Sequence, residues 1–222
     1  MNPFHPSTTM LKINEIYKSI QGESSQAGLP CVFIRLTGCN LRCTWCDTEY
    51  AFYEGREMTV DAILSAVEPF GRIPLVEITG GEPLLQKEVY PLMDALLQKG
   101  YMVMLETAGS LSVKNVPQAV IKIMDMKCPG SGEESRNLYE NLQYLTLRDE
   151  VKFVILDRKD YEWSRDLLNR HGIPGKAHVL FSPVFDKLGL QDLARWILED
   201  QLPVRLQTQL HKMIWSKDAI GV

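Results

Sequence analysis

The chain reads as an α/β protein, an incomplete TIM-like (β/α) barrel of about six parallel strands. Two observations predict this. Short apolar, β-branched runs alternate with amphipathic helical segments along most of the chain, the pattern of a parallel sheet with right-handed crossovers. The chemically unusual stretches (GCNLRCTWCDTEY, GGEP, ETAGS, DMKCPGSG, SPVF and QTQLH) each follow the end of such a run. That rim is where parallel barrels carry their active sites. The alternation has too many units for a small flavodoxin-like sheet and too few for a closed eight-stranded barrel.

Taken in order, residues 1–10 (MNPFHPSTTM) lack the charged-then-apolar pattern of a secretory leader and are expected to be a mobile extension. A single domain is expected over 11–222. VFIRLT (32–37) is the first strand and leads into the cysteine loop. Thr59 caps a helix whose apolar positions Val60, Ile63, Leu64 and Val67 follow helical spacing. LVEIT (75–79) is the second strand, and a helix over 87–99 stops at Gly100. YMVMLET (101–107) and AVIKIMDMK (119–127) are the third and fourth strands, and NLYENLQYL is expected to be helical. EVKFVI (150–155) is the fifth strand, followed by a helix over 161–171 that ends before Gly172. HVLFSP (178–183) is the sixth, LQDLARWILED the last helix, and VRLQTQ (204–209) a closing strand.

A length of 222 residues supports a sizeable core, and a net charge of −4 without a Lys/Arg run argues against a nucleic-acid surface. The apolar runs are strand-sized, so no membrane span is expected. Five cysteines, three of them within one loop, suit a reducing cytoplasm better than a disulfide framework. Cys31 reads as a buried hydrophobe, while Cys128 lies on the rim beside the unusual loops.

Cys39, Cys43 and Cys46 are spaced C-x₃-C-x₂-C. Clustered thiolates are soft ligands for zinc or for an iron–sulfur cluster. A structural zinc site needs a fourth protein ligand, usually from a second close pair, and no such pair of Cys or His is visible. Three thiolates on a 4Fe–4S cubane leave one iron open to a ligand. From the residues alone both metals stay open, and the spacing favours the cubane.

The triad, with Trp45 before its last cysteine and Gly80-Gly81-Glu82 at the next strand end, resembles the radical S-adenosylmethionine superfamily. INEIYKSIQGES, AGLPCVFIRLTGCNLRCTWCDTEY, EITGGEPLLQ, DMKCPGSG and QLHKMIW together resemble the 7-carboxy-7-deazaguanine synthase family. That likeness implies a lyase that takes the small-molecule pterin 6-carboxy-5,6,7,8-tetrahydropterin, contracts its ring and releases ammonia on the route to queuosine-type 7-deazapurines. It implies a 4Fe–4S cluster, S-adenosyl-L-methionine and Mg²⁺ as cofactors, a homodimer, and an electron donor such as a flavodoxin or ferredoxin. Carried over by motif, Cys39, Cys43 and Cys46 hold the cluster, and Thr48 ligates Mg²⁺. Trp45, Gly81, Glu82, Asp125, Met126 and Lys127 hold S-adenosylmethionine. Ile20, Gln21, Gly22, Arg35, Thr79, Gln209 and His211 contact the pterin. No side chain is expected to be the primary catalyst, because the cofactor radical abstracts the hydrogen. Two other readings use the same residues: a superfamily activase that transfers a radical to a partner protein, and a zinc-binding module.

Overall fold

The computed structural model describes residues 10–216 and 219–222. Its strands are β1 (Met10–Ile20), β2 (Pro30–Leu36), β3 (Arg56–Thr59), β4 (Leu75–Gly80), β5 (Met102–Thr107), β6 (Ile121–Asp125), β7 (Glu150–Ile155), β8 (His178–Pro183) and β9 (Arg205–Leu206). Its α-helices are α1 (Val60–Val67), α2 (Val89–Gln98), α3 (Arg158–His171), α4 (Leu190–Glu199) and α5 (Leu210–Ile214).

The strands form one open sheet in the order β3-β1-β2-β4-β5-β6-β7-β8-β9. From β2 through β9 the neighbours run parallel, and β1 lies antiparallel to both β2 and β3. The expected parallel strands are therefore present as an incomplete barrel, with β9 only two residues long. EVKFVI and HVLFSP occupy the predicted positions without a shift. Thr59 caps α1 by accepting a hydrogen bond from the Ala62 amide.

Three expectations are corrected. Met10 opens β1 instead of ending an extension, and residues 1–9 lie outside the described residues. The antiparallel arm of β1 and β3 was not foreseen, because a bulge between Ile13 and Glu15 breaks the alternation of β1. NLYENLQYL forms a 3₁₀ turn over Tyr139–Tyr144. The side chain of Asn141 there accepts from the Val113 amide and donates to the Gly109 and Leu111 carbonyls, so loop contacts shape this backbone.

Alternation along the strands sorts side chains to two faces. Outward, Ile34, Leu36, Ile78, Val103 and Leu105 pack against Ile63 of α1 and Leu92 and Leu96 of α2. Further along, Phe153 and Phe181 pack against Tyr161 and Leu167 of α3 and Leu193 of α4. Burying each such side chain contributes about 1.5–3 kcal/mol. Inward, Cys31, Phe33, Leu75, Met104, Ile121 and Ile123 fill the lower part of the bowl with Tyr17. Two residues further along the same strands, the inward positions change character. Phe33 is succeeded by Arg35, Leu75 by Glu77, Met104 by Glu106, and Ile123 by Asp125. The sheet thus holds a dry base and a charged upper chamber.

Candidate active site

The upper chamber opens into a cavity of about 730 Å³ walled by the strand ends, the cysteine loop, the loop after β1 and the C-terminal residues. A volume of that size suits a ligand pocket.

The cysteine loop leaves β2 at Gly38, whose amide donates to the Ala51 carbonyl. Its backbone is anchored from the far side of the bowl. The Thr44 amide donates to Ser131 O, and Thr44 Oγ1 donates to Gly130 O. The Arg42 amide donates to Glu133, and its guanidinium lies 4.3 Å from the Phe52 ring centroid. These ties hold Cys39, Cys43 and Cys46 half-buried on the cavity wall, with Trp45 beside them. Burial pushes the Cys43 thiol up to about 11, against the pull of the Lys127 charge. Loading a metal there must therefore release protons.

Gly80 and Gly81 serve first to let two loops touch. Gly80 has φ +156°, and a Cβ on it would lie 2.3 Å from Leu36 O. One on Gly81 would lie 2.2 Å from Gly38 O and 2.6 Å from Cys39 Cβ. The Glu82 amide donates to Gly38 O, which completes the seam. Glu82 itself is fully buried beneath the wall instead of facing the cavity. Its carboxyl accepts from the Leu84 and Ala108 amides and from Thr107 Oγ1. Burial raises its pKa, and those donors oppose the rise.

Across the bowl, Asp125 and Lys127 line the cavity and form an ion pair at 2.9 Å. Burial works against the Lys127 charge, but Asp125 and Cys43 hold its pKa above the usual range. Asp125 Oδ1 is buried without a hydrogen-bond partner among the described residues. Met126, between them, points outward into the helix-side core and does not reach the cavity, as alternation requires. Cys128 is also in that core, with its sulfur 3.4 Å from Ser164 Oγ.

The remaining residues expected at the site line the same cavity. Arg35 Nε donates to Glu15 at 2.8 Å and Nη2 to Tyr17 OH at 2.9 Å. Its guanidinium lies 5.9 and 5.8 Å from the Tyr17 and Tyr50 ring centroids. Thr79 Oγ1 donates to Glu106 Oε2 at 3.0 Å. Ile20 and Gly22 line the cavity, and a Cβ on Gly22 would lie 2.7 Å from His211 Nδ1. Gln21 also touches the cavity, but its amide is engaged at both ends. It donates to Glu77 and accepts from the Glu23 and Ser24 amides. Gln209 Nε2 bridges Glu23 Oε1 and Asp47 Oδ2 at 2.9 and 3.1 Å. His211 Nε2 is 3.7 Å from Glu23 Oε1. Thr48 Oγ1 donates to Asp47 Oδ1, beside the last cysteine.

Sequence reasoning missed the charged centre of this chamber. Lys152 Nζ lies 2.9 Å from Glu23 Oε2 and also contacts Glu106 Oε1. Burial alone would raise the Glu23 carboxyl, but Lys152 holds it down to about 2. Glu77 is pushed the other way, up to about 8, by burial and by Glu106. One signal was available. Glu77 in LVEIT and Glu106 in VMLET are single charges within apolar strands, Lys152 in EVKFV follows Glu150 by two residues, and alternation places all of them inward.

The cavity fits the expected cofactors. Three thiols stand without disulfides on one wall, and an orphaned carboxylate oxygen beside Lys127 suits a hydroxyl or amine donor. Among the described residues, no three His, Cys, Asp or Glu side chains converge as one metal ion would need. A cubane instead takes each thiolate on a separate iron, so its ligands stand apart.

An open parallel barrel with a cysteine triad on its C-terminal rim defines a radical S-adenosylmethionine enzyme, and the radical SAM superfamily model matches residues 33–130. A 7-carboxy-7-deazaguanine synthase of Koribacter versatilis (strain Ellin345) is 51% identical over 96% of this chain and 100% of its own. One of Chlorobaculum tepidum is 47% identical over 96% and 97%. The crystal structure of QueE from Escherichia coli shares the fold, with TM-score 0.75 and 23% identity over 90% of this chain and 94% of that one. The chain belongs to the 7-carboxy-7-deazaguanine synthase family. Its cofactors are accordingly a 4Fe–4S cluster and S-adenosylmethionine.

Proposed function

We propose that the chain converts 6-carboxy-5,6,7,8-tetrahydropterin to 7-carboxy-7-deazaguanine with release of ammonia, in a single domain that takes in β1 from Met10 onward. The observation that carries this reading is Arg35. Its guanidinium is braced by Glu15 and Tyr17 on the wall of the same cavity that the cysteines line. A braced, planar guanidinium suits recognition of the pterin's carboxylate.

Cys39, Cys43 and Cys46 would hold the cluster, and Gly81, Asp125, Lys127 and Trp45 the sulfonium cofactor. Together these groups supply hydrogen-atom abstraction by a 5′-deoxyadenosyl radical when bound. Glu82 and Met126 act from behind the wall, Glu82 by fixing the seam between the two loops. On the substrate side, Glu23, fixed by Lys152 and Gln209, accepts hydrogen bonds from ring N–H groups. His211 flanks it, Thr79 and Glu106 form the wall behind it, and Ile20, Gln21 and Gly22 form the loop that carries it. Thr48 Oγ1 would ligate Mg²⁺, a hard cation that favours oxygen donors. The protein thus contributes orientation and exclusion of competing hydrogen donors more than proton chemistry.

The reading extends to a cytoplasmic homodimer reduced by a flavodoxin or ferredoxin, without nucleic-acid or membrane partners. No described helix is long and apolar enough to cross a membrane. The test is anaerobic incubation of the reduced protein with S-adenosylmethionine, Mg²⁺ and the carboxytetrahydropterin. A deazapurine with its own ultraviolet spectrum, formed with ammonia, supports the reading. Cofactor cleavage without that product overturns it.

A further inference from the structure

We propose that Glu77 is a positioning residue for the pterin-binding loop: through Gln21 it sets where the Glu23 carboxylate stands in the cavity. This deepens the reading above and rests on it. The chain of contacts is short. Gln21 Nε2 donates to Glu77 Oε2 at 3.0 Å, and both side chains are only 2% exposed. Gln21 Oε1 accepts from the Glu23 and Ser24 amides at 2.9 and 3.0 Å. Since the oxygen end of the amide must face those N–H groups, its nitrogen end must face β4. An acceptor at position 77 therefore selects the orientation of Gln21, and Gln21 shapes the turn that delivers Glu23 to Lys152 and Gln209.

A carboxyl group is an expensive choice for the middle of a strand. LVEIT would pack more readily with a β-branched residue at 77, and a buried acid is unfavourable unless it has a task. Its only hydrogen-bond partner among the described residues is Gln21. The titratable groups facing it are Tyr17 from β1, Cys31 from β2, Glu106 from β5, Lys152 from β7 and Glu23 from the loop. Lys152 is the one cation in that set, and Glu23 and Glu106 already engage it. An ionised Glu77 would compete for Lys152 and repel Glu23. With burial and Glu106 pushing its pKa up to about 8, Glu77 is uncharged at neutral pH and leaves Glu23 in place.

The test compares Glu77→Val and Glu77→Gln with the wild type by hydrogen exchange without substrate, and by kinetics against pH. Valine leaves Gln21 Nε2 without its acceptor, so exchange at the Glu23 and Ser24 amides speeds up and KM for the pterin rises about tenfold, with a smaller change in kcat. Glutamine keeps the acceptor and cannot ionise. It restores amide protection and removes the rise in wild-type KM expected above about pH 8. A residue that merely fills space would give neither the pH effect nor its removal. Wild-type-like protection in the valine chain overturns the proposal, as does a glutamine chain that keeps the alkaline rise in KM. Glutamine, nearly the same shape, carries the test by itself should the valine chain not fold. Because exchange is read without turnover, a loosened loop in a protein that makes no deazapurine overturns the assigned reaction and upholds the grip of Glu77 on the loop.

Discussion

Lys212 Nζ lies 2.6 Å from Asp47 Oδ2, a contact between residues 165 positions apart that ties α5 to the cysteine loop. Burial would raise the Asp47 carboxyl, but Lys212 holds it well below the usual range. The Lys212 ammonium also lies 5.1 Å from the Phe185 ring centroid. Lys212→Met is expected to raise KM for the pterin about fivefold, the scale of about 1 kcal/mol for a partly exposed pair. Iron content should not change. Iron loss in this variant would show that the tether supports the cluster instead of the substrate.

Gly81→Ala places a methyl group against Gly38 O and Cys39 Cβ. The cysteine loop must shift, since backbone cannot yield as a flexible side chain can. The expected cost is about 1–3 kcal/mol of stability, together with lower cluster occupancy after reconstitution. Urea midpoints and iron-to-protein ratios check this, and a variant equal to wild type in both would mean the seam has slack.

Replacing Cys39, Cys43 or Cys46 singly with Ala is expected to abolish the brown absorbance and all turnover, because two thiolates do not retain a cubane under these conditions. Replacing Cys128 should leave both intact, since its sulfur is buried in the helix-side core. Full activity in any one triad variant would remove that residue from the ligand set.

Thr48→Ala removes the hydroxyl next to Asp47 without touching the thiols. Turnover should respond to Mg²⁺ only at concentrations about tenfold higher, with the cluster spectrum unchanged. A metal titration that overlays the wild type would assign the cation elsewhere.

Stability should depend on Glu77 in the alkaline direction. Its folded pKa, about 8, lies above the ordinary glutamate value of 4.5, so its protonated form is favoured in the native state. That contribution is complete below pH 4.5 and is lost as pH rises through about 8. Urea midpoints of the wild type should fall relative to Glu77→Gln as pH rises from 4.5 to about 8, and level off above that. Parallel curves for the two proteins would mean Glu77 does not titrate there.

Local pattern was enough for the parallel part of the scaffold. Thr59 and the spacing of Val60, Ile63 and Val67 define α1, and the β-branched runs at 150–155 and 178–183 define β7 and β8 at the predicted residues. These features depend on neighbours within a turn or a strand, where periodicity and capping act. The thiol triad was equally legible, because its chemistry lies in its spacing. Other properties emerge only when distant segments meet. Gly81 lines the cavity, yet its need to be glycine shows only once the fold sets Gly38 and Cys39 against it. Glu82 and Met126 sit in motif positions, yet one is spent on Thr107 and Ala108 and the other faces the helices. Lys152 gains its partners from β5 and from a loop more than a hundred residues earlier. Hydrogen bonds and ion pairs of this kind exist only after the sheet has curved, because curvature brings residues of separate strands within about 3 Å of one another across the bowl. Segment identity is encoded in nearest neighbours, while the direction and charge state of each side chain in the chamber follow from which strands closed around it.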